Sequence, residues 1–187
     1  MLNTVLTGTG RKAGLLVTRG FEDITIIEGG LTYLGQAQHD LLHNQLHEHT
    51  RAMIDPKNVH GVLERTCGGS YFMDKHIAPG VILIPLYEDH VRTAVNKLLD
   101  DGIEVIGILF TNSFINPEHE LRAKAIAEAI VAQRGVAVPV VTSCEVAPVL
   151  KENNRAKSLL LQCVAAESTR DALKSVETAA RKDGYGS

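Results

Sequence analysis

Several stretches of this sequence carry residue types that can do chemistry. LTGTGRK, residues 6–12, sets two glycines around a threonine ahead of Arg11 and Lys12. A phosphate-cradling loop of the G-x-x-x-x-G-K-[ST] kind surrounds its ligand with successive backbone N–H groups and a lysine. Here the glycines stand two apart, and Ala13 follows Lys12 where a hydroxyl would meet magnesium. A dinucleotide fingerprint follows a strand and opens a helix, whereas this stretch precedes an apolar run. The residues favour a turn, with phosphate contact as the competing reading.

HDLLHNQLHEH, residues 39–49, places His39, His43 and His47 at i, i+4 and i+8, with His49 beside them. Two imidazoles one helical turn apart can share a metal ion, and a third could join them. The pattern is not H-E-x-x-H, and no carboxylate stands at a spacing that marks a further ligand. A solvated polar helix face at a subunit contact is the better reading.

TNSFINPEHE, residues 111–120, lies just past the apolar run 103–110, where open α/β sheets place their ligands. Asn112, Ser113, Asn116 and His119 could face a crevice there. A capped strand-to-helix connection is the competing reading, and it accounts for Asn116 and Pro117. KENNRAK, residues 151–157, gathers charge and amide donors ahead of SLLLQCVAA. Arg155 could bind an anion; an exposed helix start is the plainer reading. The 3 cysteines, Cys67, Cys144 and Cys163, are far apart and form no C-x-x-C pair, which argues against a zinc ribbon or disulfide framework. None has a histidine close by in sequence to activate it. These residues alone identify no reaction.

The elements that must position these groups follow from hydrophobic periodicity. Hydrophobic residues make up 44% of the 187-residue chain, charged residues 22% and aromatics 4%. That aliphatic mix suits one α/β domain with a proper core. A net charge of -3 gives no nucleic-acid footprint. No apolar run reaches the ~18–20 residues of a membrane span, and MLNTVLTGTG lacks the order of a signal peptide. The expectation is a cytoplasmic protein that binds neither membrane nor nucleic acid.

AGLLV at 13–17 reads as a buried strand. Residues 23–27 read either as a strand or, with Thr18 as N-cap, as a short helix. Residues 33–53 read as a helix. VHGVLERT, a CGGS turn and VILIPL at 81–86 read as a hairpin with a long connection. A helix over 88–101 with Gly102 as C-cap leads to a buried strand over 103–110. A second helix starts at Asn116-Pro117 and runs to about Arg134-Gly135, followed by a strand in VAVPVV at 137–142. This alternation predicts a parallel βαβ layer. Residues 152–182 read as one long helix or two consecutive ones, and the chain as a single domain with a possible sub-boundary near 143.

The order of the pieces resembles the N-terminal region of the hydantoinase A/oxoprolinase family. The carrying residues are LNTVL at 2–6, LLVTRGFED at 15–23, GVLER at 61–65 and IPLYEDHV at 84–91. SFINPEHELRAKAI at 113–126 and SCEVAPVLKENNR at 143–155 continue the match. LNTV, GVLERT and AAESTRDALKSVETAARKDGY at 165–185 are most similar to the branch of ATP-dependent acetone carboxylase subunits.

The resemblance implies an actin/sugar-kinase/Hsp70-like, ribonuclease H-like nucleotide-binding architecture. It also implies ATP and magnesium as cofactors of a parent enzyme that works with other carboxylase or hydantoinase subunits in a homo- or hetero-oligomer. That parent would be an ATP-dependent carboxylase or a cyclic-amide hydrolase. Asn3 and Thr4 match the family's Thr-Asn-type motif, and with Asn112, Ser113 and Arg155 are the residues expected to meet nucleotide or substrate. Family members run to several hundred residues and open with a D-x-G-G-T-x-T-D type hairpin that this sequence does not contain. Where they often carry an Arg-Gln pair, it reads Ile27-Glu28-Gly29-Gly30. The expectation is a fragment of the ATP-using subunit, inactive alone. The rival expectations are a non-catalytic assembly domain and, more weakly, a histidine-rich metal-binding module.

Overall fold

AGLLVT forms strand β1, Ala13–Thr18, in a computed structural model that describes residues 7–26, 52–68, 77–182 and 184–185. Every residue of β1 is buried, as a strand covered on both faces requires. Leu16 packs on one face and Ala13, Leu15 and Val17 on the other, the period of two that a pleated strand imposes.

The remaining elements, in chain order, are β2 (Val59–Val62), β3 (Arg65–Thr66), β4 (Ile82–Ile84) and α1 (Glu88–Asp100). Then come β5 (Val105–Leu109), α2 (Glu118–Gln133), β6 (Val140–Thr142), α3 (Ser143–Val146) and α4 (Glu152–Lys182). The main sheet has the order β2-β1-β5-β6 and is parallel throughout. β3 and β4 pair separately and antiparallel. The fold is therefore the expected α/β type with a parallel layer.

Helices cover both faces of the sheet. Val91, Ala94, Val95 and Leu98 of α1 and Ala123, Ile126, Ala127 and Ile130 of α2 bury the face that carries Leu16, Ile106 and Ile108. On the opposite face, Ala156, Leu159, Leu160, Cys163 and Val164 of α4 cover Leu15, Val17, Val105 and Leu109. Spacings of three and four residues put each set on one helical stripe. Each fully buried Leu, Ile or Val contributes ~1.5–3 kcal/mol. α1 ends as expected: Gly102 has φ 70°, its N–H bonds Leu99 O, and Ile103 N bonds Leu98 O. The 31 residues of α4 form one helix, about 46 Å long, whose last ten residues carry exposed Leu173 and Val176.

Several expectations need correction. Thr18 ends β1 and is no helix cap; the turn over Glu22–Thr25 begins at Phe21. VHGVLERT is not one hairpin arm, because Val59–Val62 join the main sheet and only Arg65–Thr66 pair with β4. The last strand is confined to Val140–Thr142, since Pro139 has no N–H to extend the ladder and only its carbonyl pairs, with Ile106 N. α2 starts one residue late, with Asn116 Oδ1 accepting from Glu118 N at 3.0 Å. The helix expected over 33–53 lies outside the described residues except for residues 52 and 53, which are not helical.

Candidate functional site

From β1 the chain passes to β2 on one side and to β5 on the other. Open α/β sheets bind their ligands past the strand carboxyl ends at such a reversal. In this protein buried polar side chains meet there. Thr18 comes from the end of β1, Glu64 from the link between β2 and β3, and Thr111 and Ser113 from the loop after β5. His119 and Glu120 come from the first turn of α2, Ser143 from α3 and Arg155 from the first turn of α4. Glu120 and Arg155 are 0% exposed and Glu64 is 1% exposed. Burying such groups is costly unless each finds partners.

One network joins Thr18, Glu64 and His119. The Thr18 hydroxyl donates to Glu64 Oε1 and accepts from Thr111 N at 2.8 Å. His119 Nδ1 lies 2.8 Å from Glu64 Oε2. The second network joins Glu120, Ser143 and Arg155. Glu120 Oε1 accepts from Phe110 N at 2.8 Å and from the Ser143 hydroxyl at 2.7 Å; its Oε2 accepts from Cys144 N at 2.9 Å. Arg155 Nη2 donates to Phe110 O at 2.7 Å, Nε to Ser143 Oγ at 3.2 Å and Nη1 to Val149 O at 3.4 Å. Glu152 Oε1 stands 3.5 Å from Arg155 Nη1 and accepts from Asn112 N at 3.1 Å. Ser143 thus links a buried carboxylate to a buried guanidinium.

The mouth of this region is strapped by the β3–β4 hairpin. Asn112, at φ 61°, donates through Nδ2 to Thr66 O at 2.8 Å, and Asn116 Nδ2 donates to Gly80 O at 2.9 Å. Gly68 lies so close that a Cβ there would come within 2.4 Å of Asn112 Oδ1. A side chain there would have to displace the Asn112 amide and its bond to Thr66 O. Beside the cluster, burial first, together with the negative carboxylates of Glu120 and Glu145, pushes the Cys144 thiol up to about 11.

The structure brings Asn112, Ser113 and Arg155 together past the carboxyl end of β5. The start of KENNRAK is exposed at Lys151, but Arg155 is not; its donors go to the protein's own carbonyls, Ser143 and Glu152. Asn3, Thr4, His39, His43 and His47 lie outside the described residues. Sequence reasoning missed Thr18, Glu64, Glu120 and Ser143. Glu64, followed directly by Arg65 and Thr66, carries no local signal of burial, whereas Ser143 had one in a hydroxyl at a strand end. Among the described residues no group of His, Cys, Asp and Glu is arranged to hold a metal ion.

Of LTGTGRK, the described residues 7–12 lie at the other end of β1 and form a turn laid on α4. A Cβ at Gly10 would sit 2.2 Å from Val164 Cγ1, and Arg11 donates through Nε to Cys163 O at 3.2 Å. Lys12 Nζ donates to Asp101 O. A cleft of about 330 Å³ also opens at that end, lined by Leu99, Gly102, Ile103, Arg134, Val136 and Val138. Its one charged group, Arg134, is held by Asp100 at 2.5 Å, so the cleft offers no free acid or base.

The sequence of residues 1–131 matches the hydantoinase/oxoprolinase N-terminal region. The chain belongs to the hydantoinase/oxoprolinase family. It is 33% identical over 185 residues to the acetone carboxylase beta subunit of Xanthobacter autotrophicus, covering 98% of this chain and 24% of that one. Among solved structures, nucleotide-free acetone carboxylase matches with a TM-score of 0.82 at 34% identity, over 98% of this chain and 24% of that one. The ATP-dependent caprolactamase of Pseudomonas jessenii matches with a TM-score of 0.75 at 22% identity over 95% of this chain and 23% of that one, a likeness of fold. The chain spans about a quarter of the length of the curated carboxylase subunits it matches. No described helix is long and apolar enough to cross a membrane.

Proposed function

We propose that this chain is the N-terminal region of the ATP-using subunit of an acetone carboxylase- or hydantoinase-like enzyme, and that it is inactive alone. The observation that carries the reading is its similarity to the acetone carboxylase beta subunit across 98% of its length. In the whole enzyme, phosphoryl transfer from ATP would activate a carbonyl or amide oxygen, with electrostatic clamping of the transferring group as the main catalytic contribution. Asn3 and Thr4 would meet nucleotide or substrate. Asn112, Ser113 and Arg155 would meet the same nucleotide or substrate as rigidly held groups, because their polar atoms already bond to the chain itself. Magnesium would arrive with the nucleotide, and other subunits of the complex would complete the enzyme.

The test is calorimetric titration of the purified chain with Mg-ATP, ADP and AMP, alongside assays of ATP hydrolysis and acetone carboxylation. The expected result is neither heat nor turnover. Turnover by the isolated chain would overturn the claim that it is inactive alone; micromolar binding, about -8 kcal/mol, would show a working nucleotide surface and make Asn3→Ala and Thr4→Ala the next variants. A second reading, a non-catalytic assembly domain of the cytoplasm, draws on the exposure of Leu173 (65%) and Val176 (66%) one helical turn apart on α4. Sedimentation decides it: mass that rises with concentration supports self-association, and a strict monomer removes it.

A further inference from the structure

We propose that His119 is a proton-transfer residue of the enzyme, a base held in one tautomer by Glu64, acting on the O–H of a water or hydroxyl substrate. The proposal rests on the enzyme reading above and adds a residue role to it. The geometry starts from the Thr18 hydroxyl, which has one proton. One of its lone pairs takes the Thr111 N–H, and of the two acceptors within its reach, Glu64 Oε1 and the more distant Thr111 Oγ1 at 3.3 Å, the nearer carboxylate oxygen takes its proton. Glu64 therefore acts as an acceptor on that side. We take Glu64 as the acceptor at its other oxygen too, with the proton shared with His119 Nδ1 over 2.8 Å on the imidazole. That fixes the neutral ring as the Nδ1–H form and leaves the lone pair on Nε2.

Nε2 of His119 bonds to no described residue, although the ring is only 5% exposed. A carboxylate-oriented imidazole with its second nitrogen open is the arrangement general bases use. The other described histidines differ. His90 Nδ1 accepts from Leu63 N at 3.2 Å, a structural bond that puts the neutral ring's proton on Nε2. His60 has a buried, unpartnered Nε2, and burial chiefly holds its pKa below the ordinary value. Among the described histidines, His119 alone combines a carboxylate partner with a position beyond the carboxyl ends of β1 and β5. In the step, Nε2 takes the substrate's O–H proton as that oxygen bonds to the γ-phosphorus of ATP. The bond to the β,γ-bridging oxygen breaks with its electron pair leaving on ADP, and the imidazolium then passes its proton to solvent. Glu64 acts as a positioning residue.

Two measurements on the 187-residue chain decide the geometry. Long-range 1H–15N spectra of histidine-labelled protein at neutral pH should show His119 protonated on Nδ1 and bare on Nε2. Protonation on Nε2 overturns the proposal. Diethyl pyrocarbonate labelling read by mass spectrometry should modify His119 at least ~10-fold faster than His60; equal rates overturn it. Both use the unmutated chain, so a variant that fails to fold cannot obscure them. In the full-length subunit assembled with its partners, His119→Gln should lower kcat by ~100-fold or more, with KM for ATP within ~3-fold. An unchanged kcat overturns the role. If the unmutated assembly turns over nothing, the enzyme reading fails instead, and the two chain measurements alone decide the imidazole.

Discussion

Arg155, in the first turn of α4, donates Nη2–H to the carbonyl of Phe110, the residue that follows β5, over 2.7 Å. The same guanidinium reaches Ser143, and through its hydroxyl Glu120, so one buried side chain ties α4, α3 and α2 to the end of the central strand. Its replacement by methionine would leave the Phe110 carbonyl and the Glu120 carboxylate with weakened partners inside the protein. Removing one member of a buried charged network costs ~3–5 kcal/mol. Arg155→Met should therefore lower the urea midpoint by that equivalent. Arg155→Lys should recover only part of it, since an ammonium lacks the planar fork. An unshifted midpoint would remove Arg155 as a strut.

Gly8 and Gly10, two residues apart in one turn, should respond to alanine for different reasons. Gly8 has φ 65° with open space around its Cα, so Gly8→Ala meets only the left-handed backbone penalty of ~1–2 kcal/mol. At Gly10 the new methyl would lie 2.5 Å from the Val164 carbonyl oxygen, and α4 must shift to admit it. Overpacking of that kind costs ~1–3 kcal/mol, and it should also loosen the Arg11 N–H bond to Val164 O. Hydrogen exchange at the Arg11 amide separates the two: faster in Gly10→Ala, unchanged in Gly8→Ala.

The layer architecture was readable from particular runs. AGLLV and the core of IEVIGILF are apolar without interruption and became the two central strands, and Gly102 marked its helix end because only a left-handed residue fits there. Asn112, Ser113 and Arg155 were found by type and by their place after strands or before a helix. Glu64 and Glu120 were not, because their burial depends on closures that no local period records. Glu64 meets His119 across 55 residues, and Glu120 meets Ser143 across 23. The split of VHGVLERT between two sheets was hidden for a similar reason: Leu63 and Glu64 interrupt the pairing without any turn residue to announce it.

Cys144 and Cys163 should be slow nucleophiles. Burial and the nearby carboxylates raise Cys144 to about 11, and burial raises Cys163 to about 12 against the weaker pull of Arg11. At pH 8 the thiolate fraction of Cys144 is then ~100-fold below that of a free cysteine. Iodoacetamide alkylation of the native protein at pH 8 should be slower by at least that factor and reach the free-thiol rate only in denaturant. Rapid native labelling of Cys144 would show that its surroundings are less apolar than this packing implies.

Glu145 gives a pH dependence with a definite sign. Hydrogen bonds from Lys124 first, and then from the Thr142 hydroxyl, hold its carboxyl below the ordinary value of 4.5. A depressed carboxylate contributes stability that is present above the unfolded value and is lost as pH falls through the folded one. The group is mostly exposed, so solvent screening limits the contribution to under ~1 kcal/mol. Urea midpoints of the unmutated chain and Glu145→Gln should therefore differ slightly at pH 7 and converge as pH falls below 4.5. Lys124→Met should remove most of the pH 7 difference on its own, because Lys124 supplies the largest of the bonds that hold the carboxylate ionised. A difference that grew on acidification would reverse the sign and assign Glu145 to a partner other than Lys124.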